Sequence, residues 1–303
     1  MVDQSEHRLA KGIVVGYDDS PGSIAALEWA AITANRWGAT LTVMHSVDLA
    51  AAPMEPAYDV ARLPDSLDEA GRELLGDGVA RARQLMTQPS EVAGLLALGS
   101  PAAELVNASK DADLVVTGSR GRGPFAAGLL GSVAYAVTAH AACPAVVVHP
   151  ERPVQPGHDH PVVVGVDESQ ASESALDLAA EMAAISDAAL HIVHVAHGSF
   201  SPDAQAYVES ALAGTEHTKA VRAHAEDLVG RAARRAQATF ANLPIETEVL
   251  YGSAGHVLSP LGAHAGLIVV GTRGHGGFGG LLLGSVSHTV IHESSCPVVV
   301  VRG

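Results

Sequence analysis

Aromatic residues make up only 4% of this 303-residue chain. Cysteines number two, and Lys and Arg together 18 against 33 Asp and Glu. Each shortage excludes something. With so few rings and 48% hydrophobic residues, the core must be aliphatic and Ala-rich. Two cysteines are too few for a disulfide scaffold. Cys143 and Cys296 each precede Pro and a Val-rich run. They read as small apolar fillers, with an interdomain disulfide as the other reading. The formal charge of −15 disfavours nonspecific nucleic-acid binding, which depends on clustered cations. No apolar stretch reaches membrane-spanning length, and no N-terminal apolar leader segment stands out. We expect a soluble protein of a reducing, cytoplasmic compartment, without a membrane or nucleic-acid partner. Nucleophile elbow, HExxH and paired-carboxylate signatures are missing too, so no catalytic residue and no metal ligand is assigned.

What the chain does have is a duplication. Gly118-Ser119-Arg120-Gly121, nine residues, then Gly131-Ser132 returns as Gly271-Thr272-Arg273-Gly274, nine residues, then Gly284-Ser285. Val14-Val15-Gly16-Tyr17-Asp18 returns as Val163-Val164-Gly165-Val166-Asp167, and His45 as His194, both offset by 149. Gly99-Ser100 returns as Gly252-Ser253 and Cys143-Pro144 as Cys296-Pro297, both offset by 153. The change of offset marks a four-residue net insertion in the second copy. A period near 150 is too long for a solenoid unit and suits a duplicated domain. The halves are alike in charge. Residues 1–152 carry 11 Lys and Arg against 18 Asp and Glu, and residues 153–303 carry 7 against 15. We expect one nucleotide-binding domain over 1–150, a Pro- and His-rich linker over 151–160, and a second such domain over 161–303.

Within each domain, strand and helix alternate. Strands are predicted at Ile13–Tyr17, Leu41–Val47, Val92–Leu98, Leu114–Thr117 and Ala145–His149. Helices fall at Pro21 to about Trp37, Asp65–Met86, Pro101–Ser109 and Ser132–Ala141. Ser20 reads as an N-cap with Pro at N1, and Gly38 as the stop. Ala50–Pro64 is a Pro- and Ala-rich crossing. The second domain repeats the order with strands at Val162–Val166, Ala189–Val195, Glu246–Leu250, Leu267–Val270 and Val298–Val301. Its helices fall at Ser172–Ile185, Gln205–Asn242, Gly255–Ala265 and Ser285–Glu293. Five βα alternations with unbroken apolar strands define an α/β fold. Each domain is a doubly wound parallel sheet covered on both faces. In such sheets ligands sit beyond the strand C-termini where strand order reverses. If the first and fourth strands flank that point, Asp18 meets the Gly118 loop, and Asp167 the Gly271 loop.

A strand, a glycine-rich loop and a helix start form a common phosphate cradle, built of free N–H donors and a positive dipole end. A lone loop of this kind could be surface chain, but two with identical spacing argue for a ligand. Arg120, Arg122 and Arg273 add cations that suit a phosphate. A P-loop would need Lys-Ser/Thr after its last glycine, where Ser132-Val133 and Ser285-Val286 stand instead. Gly274–Gly279 matches the dinucleotide fingerprint formally. The match reads as accidental, since the helix starts only after Gly284 and no acid lies near position 300. Asp18 and Asp167 read as acceptors for a ribose hydroxyl or adenine amino group, against the alternative of a dipole-favoured acid at a helix start. Of the sixteen histidines, His191, His194 and His197 lie on or just past a predicted strand, where a spacing of three alternates faces. His288 and His292 lack an evident third ligand.

These motifs resemble the universal stress protein family. They are Gly-x2-Gly-x9-Gly-Ser after the fourth strand, Val-Gly-x-Asp at the first, and Cys-Pro-Val-Val-Val-Val at the fifth. The chain is similar to the tandem form common in actinobacteria, over about 12–149 and 161–302. The resemblance implies two five-stranded parallel sheets of order 3-2-1-4-5, related by a pseudo-twofold axis and paired through their fifth strands. The chain would thus be an intrachain pseudo-dimer that could form a further homodimer. It also implies an ATP-binding stress-response protein with one ATP per domain, Mg²⁺ on the phosphates and little or no turnover. Asp18 and Asp167 would contact the nucleoside. Gly118, Gly121, Gly131, Ser132 and Val133 would hold ribose and phosphates, as would Gly271, Gly274, Gly284, Ser285 and Val286. Val195 would pack on adenine, where the first domain has Ser46. A slow ATPase or nucleotidyl-transferring enzyme of the same fold, and an interaction module with a vestigial site, are the alternatives.

Overall fold

The computed structural model describes residues 11–48, 63–88, 91–121, 130–197, 216–274 and 283–303. It divides into two compact units, Met1–Pro153 and Val154–Gly303. Most of the predicted 50–64 crossing, Arg122, the glycines at 276, 277 and 279, and the start of the predicted Gln205 helix lie outside the described residues.

The first unit runs β1 (Ile13–Gly16), α1 (Pro21–Trp37), β2 (Leu41–Val47), α2 (Leu63–Leu85) and β3 (Val92–Leu98). It continues with α3 (Pro101–Ala108), a 3₁₀ turn (Ser109–Asp111), β4 (Leu114–Gly118), α4 (Ser132–His140) and β5 (Ala145–Val148). All strand pairs are parallel, in the order β3-β2-β1-β4-β5. The chain steps outward from β1 to β3 and then returns to the other side of β1. The order therefore reverses between β1 and β4, which pair directly with Ile13 opposite Leu114. Helices α1 and α2 pack together, as do α3 and α4. Val14 joins Leu105, Val115 and Val137 in one apolar cluster, while its neighbours Ile13 and Val15 point to the opposite face. A strand covered on both sides has no reason to alternate polar residues, hence the unbroken valines.

Helix α1 starts where its sequence says it should. Ser20 is extended, its hydroxyl accepts from Ser23 N, and Pro21 follows at N1. Gly38 closes the helix in the left-handed conformation at φ 61°. Its buried face is mostly alanine (Ala25, Ala26, Ala30, Ala31, Ala34), with Trp29 the one large ring, 1% exposed. Small side chains let the helix lie close on the sheet, which is how a chain poor in aromatics still fills its core.

The second unit repeats the plan. It comprises β6 (Val162–Gly165), α5 (Gln170–Ile185), β7 (Leu190–His197), α6 (Glu216–Thr239) and β8 (Ile245–Gly252). Then come α7 (Ala254–Leu258) with a 3₁₀ turn (Ser259–Ala263), β9 (Leu267–Gly271), α8 (Ser285–Glu293) and β10 (Val298–Val301). Its sheet is again parallel, in the order β8-β7-β6-β9-β10. Residues 154–160, read from sequence as linker, belong to this unit. Gly157 and His160 bridge, and Pro156 lies against Gly266. Neither cysteine forms a disulfide. Burial pushes the Cys143 thiol up to about 12, so it is inert at neutral pH.

Candidate functional site

Asp18 follows β1 and is held by the first turn of α1. Its Oδ1 accepts from Ser20 N at 3.1 Å and from Ser20 Oγ at 2.6 Å. Its own N–H donates to Ser23 Oγ at 3.2 Å. In the second unit, Asp167 Oδ1 accepts from Ser169 N at 2.9 Å and Ser169 Oγ at 2.5 Å, and Asp167 N donates to Ser172 Oγ at 2.8 Å. Each carboxylate is thus anchored through Oδ1. Its Oδ2 faces the glycine loop: a Cβ on Gly121 would stand 2.8 Å from Asp18 Oδ2, and one on Gly274 closer still to Asp167 Oδ2. The two motifs therefore meet at the switch point in both units.

The glycines divide by role. Gly118 and Gly271 end β4 and β9, and a Cβ there would drive into Gly22 and Ala171 at the start of α1 and α5. They serve helix-on-strand packing. Gly121 and Gly274 keep open the gap beside the aspartate, and neither has positive φ. Space, not a left-handed backbone, is what requires glycine there. Gly131 and Gly284 are the N-caps of α4 and α8, extended at φ −64° and −74°. Each donates its N–H back across the loop, Gly131 to Ser119 O at 2.8 Å and Gly284 to Thr272 O at 2.7 Å.

Neither helix has a side-chain cap. The first-turn N–H groups thus meet no capping oxygen of their own. Ser119 lies beside this helix start. Its hydroxyl is buried, with the residue 3% exposed, and has no hydrogen-bond partner among the described residues. A buried orphan hydroxyl costs stability unless something meets it. In the first unit the donor set fits an oxyanion such as a phosphate: an uncapped helix start, the spare Ser119 hydroxyl and a cation at Arg120; the second unit repeats the uncapped helix start and the cation, at Arg273. Ser132 and Ser285 are exposed at N1 of these helices. Val133 packs on the Leu105 cluster, leaving its backbone N–H as its contribution. Val195 is 7% exposed on β7, and Ser46 in the matching place donates to Gly99 O at 2.6 Å.

Reasoning from sequence missed the supports. His45 Nδ1 and His194 Nδ1 each lie 2.8 Å from a carbonyl, that of Tyr17 and Val166. A carbonyl only accepts, so Nδ1 carries the proton and the imidazole pins the strand end that presents the aspartate. The repetition of both histidines was visible, and it was the available signal. Ser23 and Ser172 gave none. Gly99 and Gly252 take φ 137° and 135° at the strand ends next door, a conformation reserved for glycine. The remaining histidines do other things. His191 Nε2 pairs with Glu248 at 3.1 Å, and the rings of His288 and His292 lie 4.4 Å apart. The His197 side chain is outside the described residues. Among those described, no cluster of three or more candidate ligands is placed to hold a metal. A hollow of about 550 Å³ between α2 and β3 lies away from Asp18, lined by Leu75, Val79, Leu96 and Leu98 with Arg72 on Asp68. It offers nothing further to fix a phosphate.

These features define a doubly wound α/β protein in which an anchored aspartate meets a glycine loop in each unit. The universal stress protein family matches residues 10–149 and 160–302. The chain is 34% identical over 302 residues to universal stress protein Rv2005c of Mycobacterium tuberculosis, covering 98% of this chain and 99% of that one. It is 33% identical over 298 residues to universal stress protein Rv2623 of the same organism, covering 96% of each. Among solved structures, a universal stress protein from Archaeoglobus fulgidus superposes with a TM-score of 0.64 at 20% identity, covering 96% of this chain and 95% of that one. One from Pseudomonas aeruginosa gives 0.59 at 18%, covering 96% and 93%. The chain belongs to the universal stress protein family, as a tandem of two such domains. No helix among the described residues is long and apolar enough to cross a membrane.

Proposed function

We propose that each unit binds ATP, with Mg²⁺ on the phosphates, and that the protein acts as an ATP-dependent regulator in the stress response with little or no turnover. The observation that carries this is the twice-built meeting of an anchored aspartate with a glycine loop at an uncapped helix start. The aspartate offers acceptor oxygen to a nucleoside. The N–H groups of Ser132, Val133, Ser285 and Val286 and the Ser119 hydroxyl offer donors to phosphate. Mg²⁺ would supply charge neutralisation on the phosphates, and no side-chain cluster is needed to hold it.

Purified protein should release ATP on denaturation, identified by mass spectrometry, and titration calorimetry should count two MgATP per chain. No released nucleotide and no heat at millimolar MgATP would overturn the reading. Sustained phosphate release during the titration would replace it with an enzyme.

A further inference from the structure

The two crevices share a plan but not a charge balance. Arg120 precedes Gly121, and its Cα stands 3.5 Å from where a Cβ on Gly131 would be, at the start of α4. Arg273 holds the same place, at the same distance from a Cβ on Gly284, at the start of α8. Arg120 is not free, however. Its guanidinium is ion-paired with Glu151, three residues past β5. Arg273 is exposed and makes no ion pair among the described residues. A guanidinium beside a helix N-terminus would be drawn to an anion held there. In the first unit a carboxylate already holds that guanidinium.

We propose that Glu151 is an internal competitor for the anion at the first crevice. The two sites of one chain then differ in affinity, and the second fills first. This rests on the nucleotide reading above. The competing pair is solvent-accessible, with Arg120 36% and Glu151 62% exposed. Such pairs are weak, so the handicap is a small factor rather than a block. Weakness is what allows exchange: a phosphate chain, with more oxygens and more charge than one carboxylate, can take the guanidinium over. At any concentration short of saturation the first site is therefore less filled than the second.

The test uses full-length protein in the Gly274→Val background, which disables the second crevice by placing side chain against Asp167 and isolates the first. Calorimetry with MgATP is compared with and without Glu151→Gln. The expected result is a two- to fivefold tighter Kd, in line with the worth of an exposed ion pair. The gain should vanish when Arg120→Gln is also present, and it should be missing when adenosine, which has no phosphate, replaces ATP. An unchanged Kd overturns the proposal. So does a gain that survives Arg120→Gln or extends to adenosine, since that reports a general charge or folding effect. If MgATP binds neither the wild type nor any variant, the nucleotide reading itself has failed.

Discussion

Asp18 and Gly121 are best understood as one unit of structure, because each sets what the other can be. The carboxylate is anchored by Ser20 through Oδ1, so Oδ2 cannot swing aside when the space beside it is filled. A methyl on Gly121 would stand 2.8 Å from that oxygen, and one on Gly274 nearer to its aspartate. The cost is met by turning the carboxylate or by shifting the loop, and either spoils the crevice. Gly121→Ala should therefore abolish one MgATP site and Gly274→Ala the other. Neither glycine has positive φ, so the fold should survive with a melting temperature within a few degrees of wild type. Calorimetry should read one site in each single variant and none in the double. Two sites in the double variant would mean that the aspartate and loop do not form the site. The glycine pattern and the aspartates were legible because duplication displays them twice. The reason for glycine was not legible, since it depends on a side chain about 100 residues away.

At the scale of the element, the first turn of α1 does two jobs. Ser20 caps the helix by accepting from Ser23 N, and donates to the Asp18 carboxylate. Losing an N-cap hydroxyl costs about 1 kcal/mol. Ser20→Ala should show that loss in chemical denaturation and also weaken the first site, because Asp18 loses its firmest hydrogen bond. Ser169→Ala should do the same for the second site through Asp167. A variant that loses stability but keeps its affinity would separate the two jobs and leave Ser20 as a cap only. The cap was plain in the sequence because Ser-Pro at a helix start is a local signal. So were the ends at Gly38, and the exact spans of β2 and β3. Less legible was the outer end of α7, where the helix predicted to run to Ala265 tightens into a 3₁₀ turn at Ser259–Ala263; α3 ends at Ala108, within one residue of the predicted Ser109, before a 3₁₀ turn at Ser109–Asp111. In the second unit Pro260, which has no N–H, breaks the α-helical ladder and leaves a 3₁₀ turn. In the first unit, packing selects it: the buried Ser109 hydroxyl accepts from Ala142 N at 2.8 Å just past α4. The reach of β7 to His197 was also missed. The pairing that extends it, Ala196 with Tyr251 and His197 with Gly252, is made with a distant strand.

At the scale of the molecule, the ligand and the protein have the same sign of charge. A chain of formal charge −15 repels an anionic nucleotide at long range. Binding must then come from the short-range donors at α4 and α8, helped by whatever lowers the ligand's charge. Mg²⁺ does so, and MgATP should bind more tightly than ATP in EDTA. The gap between the two should be widest at low salt, where repulsion is least screened. At 100 times Kd, an occupied site stabilises its unit by ~2.7 kcal/mol. For units of this size that corresponds to roughly 5–10 °C in Tm. Because each unit carries its own aspartate and loop, the Gly121→Ala variant should keep the shift of the second unit and lose that of the first. The double variant should show no MgATP shift at all. A shift of wild-type size in the double variant would place the nucleotide elsewhere on the molecule.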